Sequence, residues 1–373
     1  MTMASTVAGA SPTELDELRA TVRRFLTDKA PESHVRAVMT SDRGVDLHLW
    51  RDLAQQLGLQ GLALPEAYGG AGYGYVEQAV VLEELGRALT CVPYFGTVVL
   101  AANALLASGD AAAMELWLPG IAAGELTATL AVGEPITAGP TVAATQVDAS
   151  WRLDGTVTHV VDGPSADLLL VVGRTANGLG LFALGTGTDG VVRTQLPTMD
   201  LTRRQAAFDF ADAPATLVGT DGDGERILAR VLELAAVALA AEQVGGAQRC
   251  LEMATEYAKT RIQFGRAIGS FQAVKHRCAD LLVGIELARS AAARAAVCAS
   301  ADDPDLALMA SLAKSVCSTT FVQAASENIQ LHGGIGFTWE HPAHLYLKRA
   351  KSSQLLFGGP ALHRERVAQA LGL

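Results

Sequence analysis

Leu234-Ala-Ala-Val-Ala-Leu-Ala-Ala-Glu-Gln-Val-Gly-Gly246 holds a single charged residue, Glu242, in an otherwise small and apolar run. With its flanks the run predicts one long helix over about 225–259, and a helix that is apolar all round is a buried one. Working outward, further helices are predicted over roughly 271–300, 305–331, 342–356 and 361–371. Upstream, Gly222-Asp-Gly224 marks a change of pattern. From 127 to 218 the chain consists of short Val-, Thr- and Leu-rich runs: Thr127–Val132, Ser150–Leu153, Thr156–Val161, Leu168–Val172, Gly180–Leu184, Val191–Gln195 and Gln205–Phe210. Asp154-Gly155, Asp162-Gly163 and Asp189-Gly190 fall between or beside them as turn dipeptides, which is the pattern of an all-β domain. Residues 12–125 return to helical spacing, as in Leu47, Trp50, Leu53 and Leu57, interrupted by the glycine-rich loop Tyr68–Gly74. The expected fold is mainly α with a middle β-domain, divided at 1–126, 127–222 and 223–373.

Bulk composition narrows the function classes. The 373 residues are 50% hydrophobic and 18% charged, with a net charge of -10. That is enough apolar material for a large core, and it excludes a disordered chain. The lysines and arginines form no stripe, which argues against nucleic-acid binding. Five cysteines are scattered without a CxxC pair, so neither a disulfide framework nor a zinc site is expected. The N-terminal residues lack the features of a secretory leader, and no apolar run reaches spanning length, so a cytoplasmic protein is expected.

Three features could carry chemistry. A lone acid in a buried helix either rises in pKa, as a proton-abstracting base near neutral pH requires, or is structural, paired with a buried arginine or capping a neighbouring helix. Glu242 has both readings open. Glu233 lies nine residues earlier and so faces the other way. Arg261-Ile-Gln-Phe-Gly265, followed by Gly269-Ser-Phe-Gln272, places an arginine at a glycine break between helices, where it could hold a phosphate. Gln330-Leu-His-Gly-Gly-Ile-Gly336 is a second glycine-rich break, able to bring backbone N–H groups to an anion.

Taken together with Ala63-Leu-Pro-Glu-Ala-Tyr-Gly-Gly-Ala-Gly72, Glu83-Glu-Leu-Gly86 and Leu118-Pro-Gly-Ile-Ala-Ala-Gly-Glu125, these motifs resemble the acyl-CoA dehydrogenase family over nearly the whole chain. The resemblance implies a helical N-terminal domain, a barrel-like middle domain and a C-terminal four-helix bundle, assembled as a tetramer. It implies FAD held across a subunit interface. Arg261 would meet the pyrophosphate, with Gln263, Phe264 and Gln272 in the same cofactor motifs. Gln330, Gly333 and Gly334 would hold the ADP part from the neighbouring subunit. The implied reaction removes the α-proton of an acyl-CoA with a carboxylate while the β-hydride passes to flavin N5. An electron-transfer flavoprotein is the implied acceptor.

The chain departs from the family pattern in three places. The Tyr-Glu-Gly-Thr segment that carries the base in many relatives reads Phe357-Gly-Gly-Pro360, which puts Gly358 at the base position. The alternative base position on the long helix is Ala235. Glu242, two turns further on, is then the expected base, as Ala240-Ala-Glu-Gln-Val-Gly245 resembles the actinobacterial branch acting on sterol side-chain thioesters. The middle-domain flavin loop reads Gly133-Glu-Pro-Ile-Thr-Ala-Gly-Pro140, and the segment facing the flavin ring reads His159-Val-Val161. These changes also fit a different expectation, a subunit of low activity that completes a partner's FAD site in a heteromeric dehydrogenase. A third expectation is the same fold used for another flavin chemistry. The missing carboxylates hint at a bulky or cyclic acyl group.

Overall fold

The structure is a computed structural model and describes residues 9–133, 136–148 and 150–373. The described residues form two compact units, 9–15 with Arg36–Gln78 and Cys91–Ala235, and Asp16–Val35 with Ala79–Thr90 and Ala236–Leu373. The helices preceding the strands are α1 (Pro12–Lys29), α2 (Glu32–Met39), α3 (Leu47–Gln55), α4 (Tyr75–Ala88), α5 (Asn103–Ser108) and α6 (Ala111–Ala122). The strands are β1 (Ala128–Ala131), β2 (Val142–Val147), β3 (Ser150–Val161), β4 (Leu168–Thr175), β5 (Gly178–Gly185), β6 (Val191–Gln195) and β7 (Gln205–Val218). After them come α7 (Gly224–Thr260), the small hairpin β8–β9 (Ile262–Gln263 and Arg266–Ala267), α8 (Gln272–Ser300), α9 (Leu306–His332), α10 (Ala343–Leu355) and α11 (Pro360–Ala370).

In the first unit the sheet runs β1-β4-β2-β3-β7-β5, with β6 on β7 and a further β4–β5 pairing that closes β4-β2-β3-β7-β5 into a ring. Leu153, Val157, Leu169, Phe182 and Phe208 fill its interior. Sequence reading breaks β3 at Asp154-Gly155, but the strand runs through. The register against β7 slips between Leu153 and Gly155, a bulge that absorbs the dipeptide. Gly155 sits at φ +130, and a Cβ there would lie 2.9 Å from the Thr141 carbonyl oxygen, so only glycine fits. β2 goes unrecognised in the sequence, because Val142–Val147 buries only alternate residues at its start. Within the helical stretch expected over 12–125, Phe95–Ala102 forms a buried π-helical turn that continues as α5. Asp46 and Asp110 cap α3 and α6, each accepting backbone N–H groups of the first turn.

The second unit is built on α7. Residues 234–247 are all buried, as the apolar run requires. Its glycines let other helices approach backbone to backbone. A Cβ on Gly245 would fall 1.8 Å from the Glu83 carbonyl oxygen of α4, and one on Gly86 would fall 2.2 Å from the Glu242 carbonyl oxygen. Phe321 of α9 occupies the space a Gly246 side chain would need. Around this crossing lies a layer of ion pairs. Arg23 binds Glu84 through two hydrogen bonds of 2.8 and 2.6 Å. Arg19 binds Glu83 at 2.7 Å, Arg289 also pairs with Glu83, and Arg87 grips Glu252 with both terminal nitrogens.

Candidate active site and flavin motifs

Glu242 is 3% exposed on α7 and Arg349 is 2% exposed on α10. Arg349 Nη1 donates to Glu242 Oε1 at 3.2 Å. Of the two readings open in the sequence, a carboxylate paired with a buried arginine is therefore the local geometry. The guanidinium fixes that carboxylate in place through a charge-assisted hydrogen bond. Glu233 is half-buried and lies 4.0 Å from Arg230, one turn away on the same helix.

Beside Glu242, Gln243 joins a second buried network. Its Nε2 donates to Ser318 Oγ at 3.0 Å. Lys314, fully buried on α9, donates to the same hydroxyl at 3.1 Å and to the carbonyl oxygens of Ser353 and Gln354 at 3.0 and 3.1 Å. Three donors thus meet three acceptors, and a positive charge sits at the C-terminal end of α10. The turn that follows contains Phe357 at φ +56 and Gly358 at φ +99. His363 Nε2 lies 3.1 Å from the Phe357 carbonyl oxygen. Gly358 is buried, and a Cβ there would meet Leu362 Cδ2 at 2.6 Å. This turn, where the resemblance puts the usual base, is tied down from two sides and shaped for glycine.

The residues expected to hold FAD are solvent-facing. Arg261, Gln263, Phe264, Gln272, Gln330, Gly333 and Gly334 are all exposed. Phe264, at the tip of the β8–β9 hairpin, is 92% exposed and lies edge-on to Phe271 at 6.1 Å. Among the described residues Gln263 Nε2 donates to the neighbouring Ile262 carbonyl oxygen alone. Among the described residues Arg261 makes no ion pair, which leaves its guanidinium for an anion. Gly333 has φ +61, and a Cβ on Gly333 or Gly334 would meet nothing within 4 Å. The unpaired guanidinium with side-chain amides at 261–272, and the open glycine turn at 333–334, are each of a kind that fits phosphate groups of a dinucleotide. Behind the turn, His332 stacks between Tyr257 at 4.3 Å and His341 at 4.1 Å, which stiffens it.

In the middle strands, His159 lies in a second bulge of β3, between Val157 and Val160, at φ +61 and exposed. Gly133, Ile136 and Gly139 border a space of about 30 Å³ closed by Val157 and Val172. Glu134 and Pro135 lie outside the described residues. Among the described residues no group of His, Cys, Asp and Glu is placed to hold a metal, and no helix is long and apolar enough to cross a membrane.

Residues 12–125 match the acyl-CoA dehydrogenase N-terminal domain family, and residues 222–372 match the C-terminal domain family. The chain belongs to the acyl-CoA dehydrogenase family. It is therefore an oxidoreductase of a family of flavoproteins that act on acyl-CoA. This acyl-CoA dehydrogenase is 40% identical over 349 residues to acyl-CoA dehydrogenase IpdE2 of Mycobacterium tuberculosis, covering 94% of each chain. It superimposes on a variant of the Tcur3481-Tcur3483 steroid ACAD with a TM-score of 0.88 and 35% identity, over 96% of this chain and 98% of that one. With the ChsE4-ChsE5 complex from Mycobacterium tuberculosis the TM-score is 0.89 and the identity 31%, over 97% and 98%.

Sequence reading missed Arg349 and Lys314. Lys314 carries the signal that singled out Glu242, a lone charge in an apolar helix, here Ser311-Leu-Ala-Lys-Ser-Val-Cys317. Arg349 carries none, because Leu347-Lys-Arg-Ala-Lys351 reads as an ordinary basic helix face.

Proposed function

We propose that this chain serves in FAD-dependent α,β-dehydrogenation of an acyl-CoA thioester as one of two unlike chains sharing a flavin site, the α-proton being taken by a carboxylate outside this chain. The observation that carries the proposal is the buried Glu242–Arg349 pair. A carboxylate clamped by a guanidinium and packed against α4 at Gly86 is already engaged in holding helices together. Gly358 offers no substitute, because its turn leaves no room for a side chain without moving Leu362. The solved relatives also support a shared site, since two of them are named as pairs of different chains.

Arg261, Gln263, Phe264 and Gln272 would hold one part of FAD, and Gln330, Gly333 and Gly334 the ADP part at a subunit boundary. Bound FAD supplies the acceptor for the β-hydride. Here the chain's own residues bind and orient: Arg261 neutralises phosphate charge, and the Gln330–Gly336 turn presents backbone N–H groups. An electron-transfer flavoprotein is the proposed acceptor, and a bulky or cyclic acyl group the proposed substrate.

A second reading makes Glu242 the base. Its buried place on α7, two turns beyond the position where some relatives carry a base, favours it, and the chain would then be active by self-association. Expression separates the two. A chain that is colourless alone and yellow when co-produced with a second dehydrogenase chain supports the shared site. A yellow homotetramer that oxidises acyl-CoA with a dye acceptor rejects it.

A further inference from the structure

The second unit contains a cavity of about 360 Å³ that belongs neither to the flavin motifs nor to the Glu242–Arg349 pair. Its size lies in the range of small-molecule sites. Leu26 of α1, Val35 of α2, Leu89 beyond α4, Met253 of α7 and Leu345 of α10 contribute apolar walls, each no more than 6% exposed. Three arginines line the same cavity. The side chains of Arg23, Arg249 and Arg87 are 43%, 32% and 19% exposed, which places them where the cavity meets solvent.

Their hydrogen bonds single out one of the three. Arg23 spends two N–H groups on Glu84, and Arg87 spends two on Glu252. Arg249 reaches Glu252 only through Nη1, at 3.5 Å, and Glu256 at 3.7 Å. Among the described residues its Nε and Nη2 make no hydrogen bond, and that edge matches a carboxylate. α10 begins at the same cavity. Its first N–H, of Ala343, is already taken by His341 Nδ1 at 3.2 Å, so the helix start adds only the field of its dipole. Glu32 and Glu84 also line the cavity, which disfavours a dianion and leaves a singly charged head group as the match.

We infer that this cavity is a binding site for an amphipathic monocarboxylate, a medium-chain fatty acid or an acid of similar bulk, with its carboxylate on Arg249 and its apolar body against Leu26, Val35 and Met253. Acyl-CoA itself does not fit the description, because its phosphates are multiply charged and Glu32 and Glu84 line the cavity.

The test is calorimetric titration of the purified flavin-loaded protein, with its partner chain where one is required, using octanoate and octan-1-ol as probes. No turnover is read, so the result stands apart from the assignment of the base. Octanoate is expected to bind once per chain. Arg249→Met should weaken octanoate about ten-fold, the worth of one charge-assisted hydrogen bond, and leave octan-1-ol unchanged. Leu26→Trp, or Met253→Phe should the first fail to fold, should abolish binding of both. Absence of octanoate binding to the parent protein overturns the site. Binding that survives the filling variants overturns its location. Octanoate affinity indifferent to Arg249→Met overturns the carboxylate assignment.

Discussion

Glu242 and Arg349 face each other across the α7–α10 contact at 3.2 Å, both essentially without solvent. Removing one partner of such a pair strands the other charge. Arg349→Met is therefore expected to cost about 3–5 kcal/mol, read as a lowered midpoint in urea. Replacing both, Glu242→Leu with Arg349→Met, should recover most of that loss, because a buried pair exchanged for apolar groups of similar volume is often neutral. A double variant no more stable than Arg349→Met would show that the pair is not the unit holding the two helices.

Gly245 is set against the carbonyl of Glu83 more closely than any side chain permits. Gly245→Ala must push α4 and α7 apart and should destabilise by at least the about 1–3 kcal/mol of ordinary overpacking. Thermal unfolding of the purified variant checks this.

Gly334 gives the opposite expectation. Nothing lies within 4 Å of a Cβ there, and its φ is not positive. Gly334→Ala should leave the melting temperature of the flavin-free chain unchanged. If the turn cradles FAD, flavin retention on gel filtration should fall, because the methyl group would enter the space the ligand uses.

Lys314 satisfies two main-chain carbonyls at the end of α10. Lys314→Met leaves them buried without a donor, at about 1–3 kcal/mol for each stranded acceptor. The expected result is lowered stability together with faster proteolysis in the 355–360 turn. Cleavage elsewhere first would contradict the role given to Lys314.

Burial, with a smaller contribution from the charge on Lys314, pushes the His363 imidazole down to about 4. Its folded pKa lies below the unfolded value of about 6.5. From about pH 6.5 downward the unfolded chain takes up a proton that the folded chain refuses. Stability should fall between about pH 6.5 and 4, with no further loss from this group below that. Melting temperatures measured from pH 7 to 4 should decline less steeply in His363→Gln than in the parent.

Much of this was legible in the sequence because it rests on local rules. The burial of 234–247 follows from composition alone, and the positions of α7 to α11 follow from periodicity and glycine breaks. β3 was misread because Asp154-Gly155 is as good a bulge as a turn, and only the opposing backbone at Thr141 decides between them. The pairing of Glu242 depends on Arg349, 107 positions away. No spacing rule connects two residues that tertiary packing brings together. The same holds for Lys314, whose partners Ser353 and Gln354 lie on another helix.

The most direct test of the shared-site account is turnover of the Glu242→Leu, Arg349→Met double variant in the flavin-loaded assembly with its partner chain. A base supplied from outside this chain predicts acyl-CoA oxidation within a few-fold of the parent. A loss of about 10²–10⁴-fold with flavin still bound, the worth of a general base, would contradict it and make Glu242 the catalytic carboxylate.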